Sequence, residues 1–169
     1  MDKLSLLCAE DVMTRDVVTV PADLPLRDVA ERLAAHRISG APVVDADGNI
    51  VGVVSETDLL KQAQSHVALP RLTLHRFGFE ALPPQLLEKV YADGLSLKAG
   101  DVMSQPVVCA AEDTPLEALA DLMVTHHINR LPVLHGRKPV GIVTRENILS
   151  AISQMLAAPG QDPAANQRG

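Results

Sequence analysis

Apolar positions in this chain fall into short runs and stripes, and the whole series occurs twice. Residues 17–20 (VVTV) form a brief apolar run, which predicts a strand. Leu26, Val29, Ala30, Leu33 and Ala34 then recur at three-to-four spacing, with Arg27, Asp28, Glu31 and Arg32 opposite. That period predicts a helix with one buried face. Ala41-Pro42-Val43-Val44 and Ile50-Val51-Gly52-Val53-Val54 flank Asp45-Ala46-Asp47-Gly48-Asn49. This predicts a hairpin, with Gly48 and Asn49 in the turn tolerating positive φ. A last helix is expected from Ser55, giving a β-α-β-β-α unit.

The same order returns 90 residues later. DVMTRDVVTV (11–20) matches DVMSQPVVCA (101–110), and HRISGAPVV (36–44) matches HHINRLPVL (126–134). VGVVSETDLL (51–60) meets VGIVTRENIL (140–149) one residue earlier in register, because the second turn is shortened to His135-Gly136-Arg137-Lys138-Pro139. Val107-Val108-Cys109-Ala110 is the second copy's strand. Its helix is expected to open with Thr114 as cap, Pro115 at the first helical position and Glu117 closing a capping box. The last helix is expected from Thr144. Two copies of one supersecondary unit bury their apolar faces most cheaply against each other. The expectation is therefore an α+β fold of two tandem repeats, 9–63 and 99–155, related by a pseudo-twofold axis.

Residues 64–98 interrupt the symmetry and hold every aromatic of the chain, Phe77, Phe79 and Tyr91. A helix is expected there from Pro84 to about Ala92, which makes the segment a partly helical apolar insert rather than a polar linker. The tail, 156–169, has the composition of a disordered segment.

Composition narrows the function. With 47% hydrophobic residues there is ample core material, almost all of it aliphatic. A net charge of −6, with no Lys/Arg cluster, argues against nucleic acid. Cys8 and Cys109 have no metal-type spacing, and two cysteines make no disulfide framework. The opening MDKLSLLCAE is too short in apolar residues for a signal, and nothing approaches the roughly 18 apolar residues of a spanning helix. A soluble cytoplasmic protein, off the membrane, is expected.

Ser55-Glu56-Thr57-Asp58 lies at a strand-to-helix junction. It has a plain structural meaning: a hydroxyl and an acid three residues apart form a capping box, and an acid suits the positive end of a helix. The same geometry can serve a ligand. Free N–H groups at a helix start attract phosphate, and a carboxylate one turn in can accept both hydroxyls of a ribose. In the second copy, Thr144-Arg145-Glu146-Asn147, the acid becomes Asn147. Its amide oxygen can accept from one hydroxyl but lacks the charge-assisted pair.

The tandem β-α-β-β-α units, the D-V-M opening, the H-R-x-x-x-x-P-V segment and the G-h-h-[ST]-x-x-[DN] close resemble a pair of CBS domains, the unit called a Bateman module. The resemblance implies two clefts. In one, Ser55, Thr57 and Asp58 face the sugar and phosphates of an adenosine ligand while Met103, Val107, Val108, Ile128, Asn129 and Arg130 line the base. In the other, Thr144, Arg145 and Asn147 are joined by Met13, Asp16, Val18, Ile38, Ser39 and Gly40. His36-Arg37 and His126-His127 stand where the family often places phosphate contacts. Arg37 is the better candidate for its fixed charge, although cationic residues at a helix C-terminus are favoured in any case. Adjacent histidines diverge on a helix, so no metal is expected at His126-His127.

With no nucleophile–base pair, metal cluster or Gly-rich loop, an enzyme is not expected, and no cofactor beyond a regulatory ligand is implied. The resemblance implies a homodimeric regulatory module that binds AMP, ADP or ATP and presents a shape change to a partner protein. The alternatives are a dimerisation scaffold with vestigial clefts, or a sensor of S-adenosylmethionine or NAD. A catalytic role for the His pair is the remotest of these.

Overall fold

The computed structural model describes residues 7–66 and 97–157. The aromatics Phe77, Phe79 and Tyr91, the helix expected from Pro84 and most of the tail lie outside the described residues. In chain order the elements are α1 (Ala9–Val12), β1 (Val20–Pro21), α2 (Leu26–Ala35), β2 (Gly40–Val44), β3 (Ile50–Ser55), α3 (Glu56–His66), α4 (Ala99–Val102), β4 (Ala110–Ala111), α5 (Leu116–Thr125), β5 (Arg130–His135), β6 (Lys138–Thr144) and α6 (Arg145–Ala157). They build two three-stranded sheets, ordered β1-β2-β3 and β4-β5-β6. In the first, β1 runs parallel to β2 and β2 antiparallel to β3, with a register shift between Val43 and Val44. In the second, β4 runs parallel to β5. The α+β class expected from the repeats is the fold observed. Helix α6 reaches Ala157, two residues into the segment expected as tail.

The chain divides into two compact bodies that do not follow the repeat boundaries. Of the described residues, 16–66, 97–107 and 135–140 form one, and 7–15, 108–134 and 141–157 form the other. Each opening D-V-M arm therefore belongs to the body built on the other repeat. In the first body the Ala99 N–H donates to the Leu24 carbonyl at 2.9 Å and the Gly100 N–H to Ala22 at 2.8 Å. Farther along, Ser104 and Val53 exchange bonds of 2.8 and 3.3 Å. In the second body the Ala9 N–H donates to Thr114 at 2.9 Å, and Thr14 and Ile142 exchange bonds of 2.9 and 3.0 Å.

Val20, Leu26, Val29, Leu33, Ala41, Val43, Val54 and Leu59 make the core of the first body, with Leu97, Val102 and Met103 of the arm packed against it. Leu116, Leu119, Met123, Leu131, Val133 and Val143 are buried in the second. The apolar stripe of α2 is buried as expected, except that Ala34 is exposed. The first strands are shorter than the apolar runs implied. Only Val20–Pro21 and Ala110–Ala111 pair, opposite Val43–Val44 and Val133–Leu134. The expected cap at Thr114 is also corrected. Helix α5 begins at Leu116 with Pro115 at its N-cap and no side-chain cap, since Thr114 Oγ1 instead accepts the Ala111 N–H at 2.9 Å.

In the first hairpin turn Gly48 has φ +80°, but Asn49 does not share it. Asn49 instead locks the turn through Asp45, whose carboxylate accepts Asn49 N–H at 2.8 Å, Asp47 N–H at 3.0 Å and Asn49 Nδ2 at 3.2 Å. These bonds, the Asn49 N–H above all, with help from the Arg137 charge, hold the Asp45 carboxyl below its usual range. A depressed carboxyl stabilises the folded state above its unfolded pKa, and the contribution fades as pH falls through the folded value. Asp45→Ala should lower the melting temperature at neutral pH, with the gap to wild type closing on acidification. A melting series from pH 7 to pH 3 checks this.

Both long α/β helices end the same way. After C-caps His36 and His126, Arg37 and His127 each take φ 52°. The Ile38 N–H donates to Leu33 at 3.0 Å and Arg37 N–H to Ala34 at 3.1 Å, and the second copy repeats this with Ile128–Met123 and His127–Val124. This is a Schellman closure made without glycine. A side chain in the left-handed region costs about 1–2 kcal/mol. Arg37→Gly should therefore stabilise the protein by about 0.5–1 kcal/mol, read as a rise in melting temperature.

Candidate functional site

Backbone pairing brings the strand–helix junction of each repeat together with the start of its middle strand. In the first body Gly40 lies opposite Ser55, and the Glu56 N–H, first in α3, donates to the Ser39 carbonyl at 3.0 Å. In the second body the Arg145 N–H donates to the Asn129 carbonyl at 3.2 Å. Ser39 and Asn129 are thus tied to the helix start of their own repeat.

Asp58 is the one buried charged residue among the described residues, at 7% exposure. Its Oδ2 accepts the Ser55 N–H at 2.9 Å and the Ser55 hydroxyl at 2.7 Å. This corrects the expected cap: the serine hydroxyl donates to the acid rather than accepting a helix N–H, because an ionised carboxylate has only acceptor capacity. The other oxygen, Oδ1, has no hydrogen-bond donor among the described residues. Its nearest cation is Lys61 Nζ at 3.7 Å, beyond hydrogen-bond length. That oxygen is not itself fully buried, so it is open to water or to a ligand donor.

The second repeat uses the same box with the opposite outcome. Asn147 Oδ1 accepts both the Thr144 N–H and the Thr144 hydroxyl at 2.8 Å, and the Asn147 N–H returns a bond to Thr144 Oγ1 at 3.3 Å. A backbone N–H must meet an acceptor, which fixes the amide with its oxygen inward. This oxygen, expected to accept from a sugar hydroxyl, already accepts two bonds from Thr144. What Asn147 leaves over is a pair of N–H donors.

Glycine marks where each arm sits. A Cβ on Gly52 would fall 2.6 Å from Met103 Cγ and 2.9 Å from its Cβ, and one on Gly141 would fall 2.7 and 3.1 Å from the same atoms of Met13. Met103 and Met13 therefore pack against β3 and β6 at glycines that stand three residues before Ser55 and Thr144. Sequence reasoning listed both methionines but missed the glycines that admit them. The repeated V-G was the available signal.

The remaining candidates divide between the bodies. Asp16, Val18, His36, Arg37, Ile38, Thr57 and Val107 belong to the first, and Val108, His126, His127, Ile128 and Arg130 to the second. His36, Arg37, His126 and His127 are exposed, as are Asp16 and Thr57. Lys61 was not singled out by sequence. No group of metal-binding side chains occurs among the described residues. Neither cysteine is in a disulfide there. Cys8 is raised by its bond to the Asp11 carboxylate and Cys109 by burial, so neither is activated as a nucleophile.

The duplicated sheet-and-helix unit, closed in each copy by a hydroxyl–acid or hydroxyl–amide box at a helix start, defines a tandem-repeat protein. The chain belongs to the CBS-domain family: residues 9–65 and 99–154 each match the CBS domain. It is 34% identical to the uncharacterized protein MJ1426 of Methanocaldococcus jannaschii over 155 residues, covering 87% of this chain and 92% of that one. It is 28% identical to the inosine-5′-monophosphate dehydrogenase of that organism, covering 83% of this chain but spanning only 23% of the enzyme. Among solved structures it matches CBSX2 of Arabidopsis thaliana in complex with AMP, at 27% identity and TM-score 0.66, covering 88% of this chain and 98% of that one.

Proposed function

We propose that this protein is a regulatory module that binds an adenosine-containing nucleotide, AMP, ADP or ATP, with Asp58 as the ribose anchor. The observation that carries the reading is the free Oδ1 of the buried Asp58. A ribose hydroxyl is a donor of the right kind for it, and a hydrogen bond to a charged acceptor contributes about 1.5–3 kcal/mol. AMP in the related CBSX2 structure supports the ligand class. Asn147 presents donors instead, so the first repeat is the stronger ribose site. The module acts by binding, not catalysis, in the cytoplasm, where free thiols persist. No helix among the described residues is long and apolar enough to cross a membrane.

A symmetric homodimer belongs to the same reading. Leu149 and Leu156, seven residues apart on α6, are 66% and 82% exposed and give an apolar face for a second copy. Sedimentation of Leu149→Glu/Leu156→Glu should show monomer where wild type shows dimer.

A second reading has its own support: the Asp58–Ser55 bonds already form half a capping box, so the acid could be wholly structural. Thermal melts with AMP, ATP, NAD and S-adenosylmethionine separate the two. A ligand at a hundredfold its Kd adds about 2.7 kcal/mol. A rise with AMP or ATP is expected. No rise with any of the four favours the scaffold, and a rise with NAD or S-adenosylmethionine alone reassigns the ligand.

A further inference from the structure

We propose that Lys61 makes the first-repeat site selective for adenosine ligands that carry an anionic group, by trading its partner from Asp58 to the ligand. The inference rests on the reading of Asp58 as ribose anchor and adds which adenosine compounds the site accepts.

The Lys61 ammonium and the Asp58 carboxylate are a mismatched pair. The acid side chain is 9% exposed and the lysine 66%, and their 3.7 Å separation is an ion pair without a hydrogen bond. Such a lysine is a loosely held, mobile charge on a flexible stem. A ribose hydroxyl that donates to Oδ1 replaces this weak contact with a direct charge-assisted bond. The lysine is then released a few ångströms from the sugar. What it meets next depends on the ligand. A phosphate on the ribose gives it a new anionic partner, so the charge pairing is kept and a bond to Oδ1 is gained. Neutral adenosine supplies the hydroxyls but no second anion. S-adenosylmethionine instead sets a sulfonium charge next to the ribose, where AMP carries its phosphate, with its carboxylate farther away on the amino-acid tail.

The second repeat shows that this device is not a by-product of the fold. The helix position matching Lys61 is Ser150, whose hydroxyl accepts from Gln154 Nε2 at 3.3 Å, and the position matching Asp58 is the neutral Asn147. The repeats share the box but not the charge pair.

Calorimetric titration of the full chain with AMP, adenosine and S-adenosylmethionine tests the inference in wild type, Lys61→Met and Lys61→Arg. Lys61 is exposed, so neither variant threatens the core. Wild type and Lys61→Arg should favour AMP over adenosine. Lys61→Met should lower that preference by about fivefold, the scale of a single partly exposed ion pair, chiefly through tighter adenosine binding, because the variant has no ion pair to give up. S-adenosylmethionine should bind Lys61→Met better than wild type. If adenosine binds but the AMP-to-adenosine ratio is the same in wild type and Lys61→Met, the role of Lys61 is overturned and the Asp58 anchor stands. If none of the three compounds binds any of the proteins, the anchor falls and the inference with it.

Discussion

Asp58→Asn should leave the protein folded and weaken AMP binding by about 10- to 100-fold. The chain itself shows that asparagine tolerates this position. Asn147 makes the matching box in the second repeat, its oxygen taking the Thr144 N–H and hydroxyl at 2.8 Å. An asparagine at 58 would turn its oxygen toward Ser55 for the same reason, keeping both local bonds. The group left over would change from a charged acceptor to two amide donors, removing a charge-assisted bond of about 1.5–3 kcal/mol. Asp58→Ala is the poorer test, because it also strands the Ser55 N–H and confuses stability with affinity. Melting curves and AMP calorimetry on the asparagine variant read the two effects apart.

The second large effect concerns the arm. Gly52→Ala should destabilise the first body by about 1–3 kcal/mol, the usual cost of forcing a methyl group into filled space. In a protein of this size that is a fall of several degrees in melting temperature. The new Cβ would meet Met103 Cγ at 2.6 Å and Cβ at 2.9 Å. The thioether could swing aside, but the Met103 Cβ moves only with its backbone. That backbone is tethered on one side by the Met103 N–H to Ala99 at 2.9 Å and on the other by the Ser104–Val53 pair. Removing most of the methionine should relieve part of the clash. Gly52→Ala/Met103→Ala is thus expected to be less destabilised than the two single losses added together. Strict additivity would show that the arm does not depend on this contact.

Much of the architecture was legible because it rests on periodicity. The stripe Leu26, Val29, Ala30 and Leu33 is buried along α2, and both hairpins lie between the apolar runs that flank the turns. Pairing across the chain was not legible. Each D-V-M arm is covalently attached to one repeat, yet its hydrogen bonds go to strands and loops of the other, and no local pattern encodes a partner so far away in sequence. Capping chemistry was half legible. The hydroxyl–acid spacing is plain at Ser55 and Asp58, but sequence cannot say which group donates. At Asn147 the decisive fact, which end of the amide faces inward, is set by the Thr144 N–H. Arg37 and His127 in the left-handed region had no glycine to announce them. Lys61 has no sequence signal of its own, and gains meaning only from its distance to the buried acid.

The ribose-anchor assignment is tested most directly by deleting the hydroxyls from the ligand and the charge from the protein in one cycle. AMP and its 2′,3′-dideoxy analogue are titrated into wild type and into Asp58→Asn. Wild type should prefer AMP by about tenfold or more, as expected for a hydrogen bond to a charged acceptor, and the variant should bind the two nearly alike. An equal preference for AMP in both proteins would show that the sugar hydroxyls are held by something other than Asp58.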